Sequence, residues 1–426
     1  MLENKIALKE DASSLPWYRE ITRLQWNALI AAFLGWALDA FDFLLYNFTI
    51  VTLIKEWGLT TAQTGLVASF TVVASAFGGM FFGWVADRVG RMKALTITVL
   101  IYSLATGFCG LSQNIWQLMV ARLLVGLGMG GEWSAGAALI SETWPKEHRG
   151  KAMSIMQSGY AVGGLVAALT AGLIIEAYGW RVLFFIGILP ALLVYWIRRN
   201  VEEPEIWKNN SEAQSVSPTT AKASILDIFR GGLLKTTILG TLFCIIGLGA
   251  SYPISIWLPA YLGTPVAKGG AGLPVVQSSL YVLPYYIGSI IGYIIFGFLS
   301  DKIGRKITFG IYFAGATVVI PLCMLVGTSN LTIFFILLTL VGLFAVGFYG
   351  GFGAVLAEIY PTRVRGTGQG FCYNFARGVA AFAITGAGAL AMSVGIGKAL
   401  LYSGGLFILA IFATLLLPET KGKELD

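Results

Sequence analysis

The chain has 426 residues, 56% hydrophobic and only 12% charged, with a mean hydropathy of +0.76. A soluble protein of this length carries about twice that charged fraction, and apolar runs of about twenty residues are too long for barrel strands. Soluble single-core packing and a transmembrane β-barrel are therefore both excluded, and the net charge of +7 is accounted for below without a nucleic acid.

Residues 1–23 are mixed and charged, with no apolar core before a small-residue cleavage site. No cleavable signal is expected there, and the first span is itself the targeting segment. Twelve spans follow, at 24–54, 62–86, 94–112, 115–142, 151–176, 181–197, 235–262, 277–299, 307–328, 331–358, 368–393 and 398–417. The longest polar stretch, 198–234, divides them six and six. The expected organisation is an N-terminal six-helix bundle (1–200), a linker (201–234) and a C-terminal six-helix bundle (235–426). The start of the linker, Glu202-Glu203-Pro204-Glu205-Ile206-Trp207, has the composition of a short interfacial helix. Cys109, Cys244, Cys323 and Cys372 all fall in apolar runs without ligand spacing and read as small buried hydrophobes.

The positive residues are unevenly placed. With both termini cytoplasmic, only Lys55, Arg181, Lys268 and Lys398 of the 29 Lys and Arg lie at the outer side. Arg122 and Arg377 lie inside spans, and all the others are cytoplasmic. The positive-inside rule gives a multi-pass protein of the plasma (inner) membrane in this orientation.

Two motifs recur. Gly83-Trp84-Val85-Ala86-Asp87-Arg88-Val89-Gly90-Arg91 returns as Gly297-Phe298-Leu299-Ser300-Asp301-Lys302-Ile303-Gly304-Arg305. Glu142-Thr143-Trp144-Pro145, closing on Arg149-Gly150, returns as Glu358-Ile359-Tyr360-Pro361, closing on Arg365-Gly366. The chain is thus a parallel duplication of a six-helix unit, of the kind whose halves rock about a central site.

The doubled G-x-x-x-D-[RK]-x-G-R pattern resembles the loop signature of the major facilitator superfamily, over nearly the whole chain. The resemblance implies two pseudo-symmetric six-helix bundles and a gating role for Asp87, Arg88, Arg91, Asp301 and Arg305. Within the superfamily the chain is similar to the sialate:proton symporter group, which includes sialic acid transporters and lactate permeases. That similarity rests on Leu15-Pro16-Trp17-Tyr18-Arg19, Leu38-Asp39-Ala40-Phe41-Asp42-Phe43, Gly130-Gly131-Glu132-Trp133 and the run from Arg181 to Pro190. Sialic acid transporters carry two extra mid-chain spans for which this linker has no room, so the resemblance implies a smaller organic acid.

The intramembrane charges carry the chemistry. An ionised carboxylate near the bilayer centre costs on the order of 3 kcal/mol, so Asp39, Asp42 and Glu132 mark a substrate or proton path. Asp39 and Asp42, at i and i+3, share one face of the first span, and two acids so close do not both ionise readily, as proton coupling requires. The only histidine, His148, lies in a loop, so the proton falls to Asp39, Asp42 or Glu132. Arg122 and Arg377 stay charged and attract anions. At about 1.5 Å per residue, Arg122 overlaps the two aspartates in depth and is expected to pair with one of them until a proton releases it to the substrate. Asn374, Tyr46, Asn47, Gln157, Tyr160 and Tyr349, with Tyr252 and Tyr285, are further substrate-binding candidates. No Walker loop, nucleophile elbow or metal-ligating cluster occurs, so neither an enzyme nor a cofactor or metal is expected.

The reading is an all-α polytopic membrane protein, a monomer, importing a small carboxylate such as lactate or pyruvate with protons. A sugar or polyol porter, an aromatic-acid symporter and a non-transporting sensor are the alternatives.

Overall fold

The structure is a computed structural model that describes residues 16–59, 61–200, 203, 205, 207, 224–263, 266–272 and 281–422. The first half runs through α1 (Arg23–Trp57), α2 (Thr61–Val89), α3 (Arg91–Leu111), α4 (Ile115–Thr143), α5 (Arg149–Tyr178), α6 (Trp180–Ile186) and α7 (Pro190–Asn200). The second half runs through α8 (Leu233–Gly263), α9 (Leu283–Ile303), α10 (Arg305–Val326), α11 (Leu331–Val346), α12 (Tyr349–Ile359), α13 (Arg365–Val394) and α14 (Ile396–Leu416). The protein is an all-α polytopic membrane protein with twelve membrane-spanning segments in two pseudo-symmetric six-helix bundles. Ten of these, among the described residues, are long and apolar enough to cross a bilayer by length and composition alone.

The other two are the sixth and the eleventh. The sixth span, expected continuous over 181–197, breaks between α6 and α7 at Gly187 to Leu189. Pro190 restarts the helix where its missing N–H costs nothing. The eleventh span, α13, is a single 30-residue helix whose charged and amide residues, Arg365, Gln369, Asn374 and Arg377, all lie in its first half. The tenth span also breaks, between α11 and α12, at Gly347 and Phe348. Most of the 201–234 linker lies outside the described residues, as does the expected start of the eighth span before Tyr281; of the expected interfacial helix at 202–207 only Glu203, Glu205 and Trp207 are described.

Local signals set the ends. Thr22 and Gln25 form a reciprocal capping box at the start of α1 (2.8 and 3.3 Å), and Asn114 caps α4 through the Trp116 and Gln117 amides. In both motif copies the last glycine has a left-handed backbone: φ is 116° at Gly90 and 104° at Gly304.

Lipid supplies no hydrophobic drive between helices, so small residues bring them together. A Cβ on Gly126 of α4 would strike the Thr71 carbonyl of α2, and one on Gly342 of α11 would strike the Tyr285 carbonyl of α9. Gly159 and Gly163 of α5 lie against Phe33, Ala37 and Ala40 of α1, and this packing fixes the helix that bears the two aspartates.

Candidate functional site

Three acids of the first half converge in the protein interior. Asp39, Asp42 and Glu132 are each 0% exposed, and neither oxygen of any of the three has a hydrogen-bond partner. Thr106 borders Asp42, but its hydroxyl donates to the Tyr102 carbonyl at 2.9 Å and is not available to the carboxylate. Glu132 lies against Gly35 of α1, where a Cβ would collide with its Oε1. Tyr102, whose hydroxyl donates to the Gly35 carbonyl at 3.3 Å, stands among all three acids. The break between α6 and α7 sets Gly187 directly on Asp42 and Thr106, with no room for a side chain.

Arg122 reaches α1, but at its backbone. Its guanidinium donates to the carbonyls of Asp42 (3.3 Å) and Phe43 (3.1 Å), with the rings of Phe43 and Tyr46 5.5 and 5.1 Å away. The expected ion pair with an aspartate is absent, because the Asp42 side chain turns toward Thr106 and Gly187 while Arg122 approaches its carbonyl. Arg377 of α13, the other arginine within the spans, also lies near enough to Asp39 to favour its charged form. Matched depth alone thus does not form the pair.

Arg377 is 5% exposed. Its Nη2 donates to the Met129 sulfur at 3.5 Å, a weak acceptor, and its Nη1 has no partner. The groups acting on it most strongly are Tyr252, Tyr373, Tyr160 and Asp39. One turn before it, Tyr373 stacks on Trp133 of the first half at 3.8 Å and 13°, and the Trp133 indole donates to Gln157 at 3.0 Å. Tyr160 packs on Trp36 at 5.4 Å. Tyr349 hydrogen-bonds Ser251 and stacks on Phe352, and Tyr285 bonds Ser255 at 2.6 Å. Asn374 is wedged into the notch left by Gly79 of α2 and donates to Ser134 (3.3 Å) and to the Gly370 carbonyl (3.0 Å). It joins the two halves. The Asn47 side chain lies outside the described residues.

At the motif end the halves are crosslinked twice by the same device. Asp87 of α2 accepts from the Gly366 and Thr367 amides (3.1 and 2.7 Å) and the Thr367 hydroxyl (2.6 Å), all on the first turn of α13. Asp301 of α9 accepts from the Gly150 and Lys151 amides (3.1 and 3.0 Å) on the first turn of α5. Both are carboxylates placed at helix N-termini of the opposite half. Arg91 pairs with Asp87 (3.0 Å) and Glu142 (2.7 Å), and Arg305 with Asp301 (2.6 Å) and Glu358 (2.9 Å). Arg88 is exposed and lies over the Trp84 ring at 4.3 Å.

Several members of this network were not singled out from sequence. Arg365 pairs with Glu142 at 3.0 Å and Arg149 with Glu358 at 3.4 Å, each across the halves. Their signal was present, since all four sit in the second repeated motif. Glu203 accepts from the Arg91, Met92 and Lys93 amides (2.7, 3.1 and 3.3 Å), and Glu419 from the Arg305 and Lys306 amides (2.9 and 3.1 Å). The Cβ positions of Gly90 and Gly304 are filled by these two carboxylates, so the motif glycines serve the caps as well as the turn.

Comparison with known proteins agrees with this architecture. The profile of the Major Facilitator Superfamily matches residues 32–274 and 270–425. A probable 4-methylmuconolactone transporter of Cupriavidus pinatubonensis is 36% identical over 420 residues, 96% of this chain and 94% of its own. The sialic acid transporter NanX of Escherichia coli is 35% identical over 360 residues, 84% of this chain and 85% of its own. The fold matches the solved proton:xylose symporter XylE with a TM-score of 0.79 over 94% of this chain and 98% of that one, at 19% identity.

Proposed function

The chain belongs to the Major Facilitator Superfamily, and on that premise we propose that it is a secondary active transporter that takes up a small organic carboxylate together with protons by alternating access. One observation carries this reading: three buried carboxyls without hydrogen-bond partners stand in the first half, facing a buried arginine of the second that lacks an anion. A carboxylate removed from water without a partner costs several kcal/mol, and a proton relieves that cost. A substrate carboxylate would do the same for Arg377. Protons load on one half and the anion on the other, and full loading leaves the interface close to neutral. The Lys and Arg asymmetry supports a plasma-membrane protein with the motif end and both termini cytoplasmic, and the paired network there then serves as the inner gate.

The substrate is an organic acid on this reading, in keeping with the named substrates of the two relatives. NanX nearly equals this chain in length, since 360 residues are 85% of one and 84% of the other. The short linker is therefore no argument against sialic acid. The rings of Tyr160, Tyr252 and Tyr373 around Arg377 favour the aromatic-acid alternative over lactate or pyruvate, because a flat acid can lay its plane on them.

The test is uptake and counterflow in proteoliposomes with 4-hydroxybenzoate, lactate, pyruvate, sialic acid and glucose, with and without an inward proton gradient. Accumulation of a carboxylate that collapses with the gradient supports the proposal. Competition by glucose alone would make the chain a sugar porter, and binding without accumulation would make it a sensor.

A further inference from the structure

The segment before α1 has no part in the site described above, yet it is seated across the two halves. Trp17, in a short 3-10 turn from Trp17 to Arg19, packs edge-on against Phe298 of α9 at 5.7 Å and lies 6.0 Å from Trp26 of α1. Lys151 of α5 places its ammonium 5.6 Å from both the Trp17 and the Phe298 rings. Its amide is one of the two held by Asp301 of the second half (3.0 Å). The same ammonium donates to Nδ1 of His148 at 2.9 Å, and Nε2 of His148 meets Glu20 at 3.0 Å. A chain of contacts thus runs Glu20–His148–Lys151 and on to the two rings.

An ammonium can only donate, so Nδ1 of His148 must accept and its proton must sit on Nε2, donated to Glu20. The whole chain exists only for the neutral imidazole. Protonation puts an N–H on Nδ1 facing a like-charged Lys151, while it strengthens the bond to Glu20. Glu20 of the preceding segment and Lys151 of its own helix bond the ring, Glu147 and Arg149 flank it in sequence, and Asp301 of α9 holds the Lys151 amide. Of these, only Lys151 is set against the protonated ring by a direct bond.

We propose that Trp17 and Glu20 are positioning residues for the gate at the motif end, and that His148 couples their hold on α9 to the pH on that side. This rests on the gating role given to that end under the proposed function. A proton taken up by the His148 ring turns its Nδ1 from acceptor to donor and so displaces Lys151 from the rings of Trp17 and Phe298. The gate loosens and net uptake slows as protons accumulate inside.

The test uses the full chain in proteoliposomes with the internal pH set from 5.5 to 7.5 and the external pH fixed. His148→Gln is the central variant, because an amide can accept from Lys151 and donate to Glu20 but cannot take up a proton. Thiol labelling of a cysteine placed at Ser154, beneath the crosslink, reads access from the motif end. Acidification is expected to raise labelling and lower uptake severalfold in the parent protein, and to do neither in His148→Gln. Trp17→Ala should raise labelling at every internal pH. Identical internal-pH profiles for the parent and His148→Gln overturn the coupling, and unchanged labelling in Trp17→Ala overturns the positioning role. If no substrate is carried at all, the transport reading fails instead, while the labelling arm still reports on the latch.

Discussion

Arg365 of the second half donates to Glu142 of the first at 3.0 Å, and both side chains are fully buried. Glu142 also holds Arg91 of its own half at 2.7 Å, so this one carboxylate ties a loop motif to the opposite bundle. Removing one partner of a buried pair leaves an uncompensated charge, at a cost of about 3–5 kcal/mol. Glu142→Gln is expected to lower the thermal midpoint and to open the motif end, measured as faster thiol labelling there. Because Arg149–Glu358 repeats the arrangement at a longer 3.4 Å, Glu358→Gln should act in the same direction.

Arg122 and Arg377 should separate in kinetics. Arg122 spends its donors on the carbonyls of α1, whereas Arg377 has an unpaired nitrogen and aromatic neighbours. Truncating a buried charged partner costs about 2–5 kcal/mol of binding, so Arg377→Gln should raise KM by two orders of magnitude or more. Arg122→Gln should act chiefly on thermal stability. Equal KM values for Arg377→Gln and the parent would remove Arg377 from the substrate site.

Among the acids, substitution should cost coupling and not folding. Asp39, Asp42 and Glu132 have no hydrogen bonds to lose, so Asp42→Asn and Glu132→Gln are expected to change stability by less than about 1 kcal/mol. Concentrative uptake should disappear in at least one of them while exchange down a gradient continues. Gradient-driven accumulation at the parent level in Asp39→Asn, Asp42→Asn and Glu132→Gln alike would end the proton-coupling mechanism.

Close packing between the halves predicts a rescue. A Cβ on Gly79 would collide with the Asn374 side chain, and overpacking of this kind costs about 1–3 kcal/mol. Gly79→Ala should destabilise the protein, and adding Asn374→Ala should recover much of the loss in a thermal unfolding series.

One electrostatic tie lies outside the spans. Asp227 accepts from the Ser224 amide at 3.1 Å and from Arg363 at 2.7 Å, and these bonds, that to Ser224 foremost, hold its carboxyl below the usual carboxylate value of 3.8. A depressed carboxyl contributes stability above its unfolded value and loses it as pH falls through the folded one. The link between the start of α8 and the loop before α13 should therefore persist at pH 5 and fail only below about pH 4. Hydrogen exchange at Ile228 against pH checks this, and Asp227→Asn should flatten the dependence.

The fold was legible in the sequence because bilayer physics writes it there. Apolar runs gave the spans, and two motif copies at nearly one offset gave the duplication. Breaks such as the one at Gly187 were not legible, because a glycine in an apolar run reads as helix packing until a neighbour such as Asp42 is seen against it. The acids and arginines were found as charges out of place, but depth alone could not tell that Arg122 stops at a carbonyl. Glu203 and Glu419 were missed because a helix cap supplied from a distant segment leaves no local pattern.

The polarity of α13 bears on how the chain enters the membrane in the first place. Its thirty residues carry Arg365, Gln369, Asn374 and Arg377, and a single arginine at mid-span costs roughly 2.5–3.5 kcal/mol on insertion scales. Such a helix partitions poorly by itself. Once α2 and α4 offer the Gly79 notch and Ser134, and α8 offers Tyr252, most of its polar groups are covered. During synthesis α13 is therefore expected to wait at the translocon for the earlier helices and to settle together with α14. Chains cut just after residue 394 should leave it exposed to glycosylation or protease on the wrong side, whereas the full chain does not.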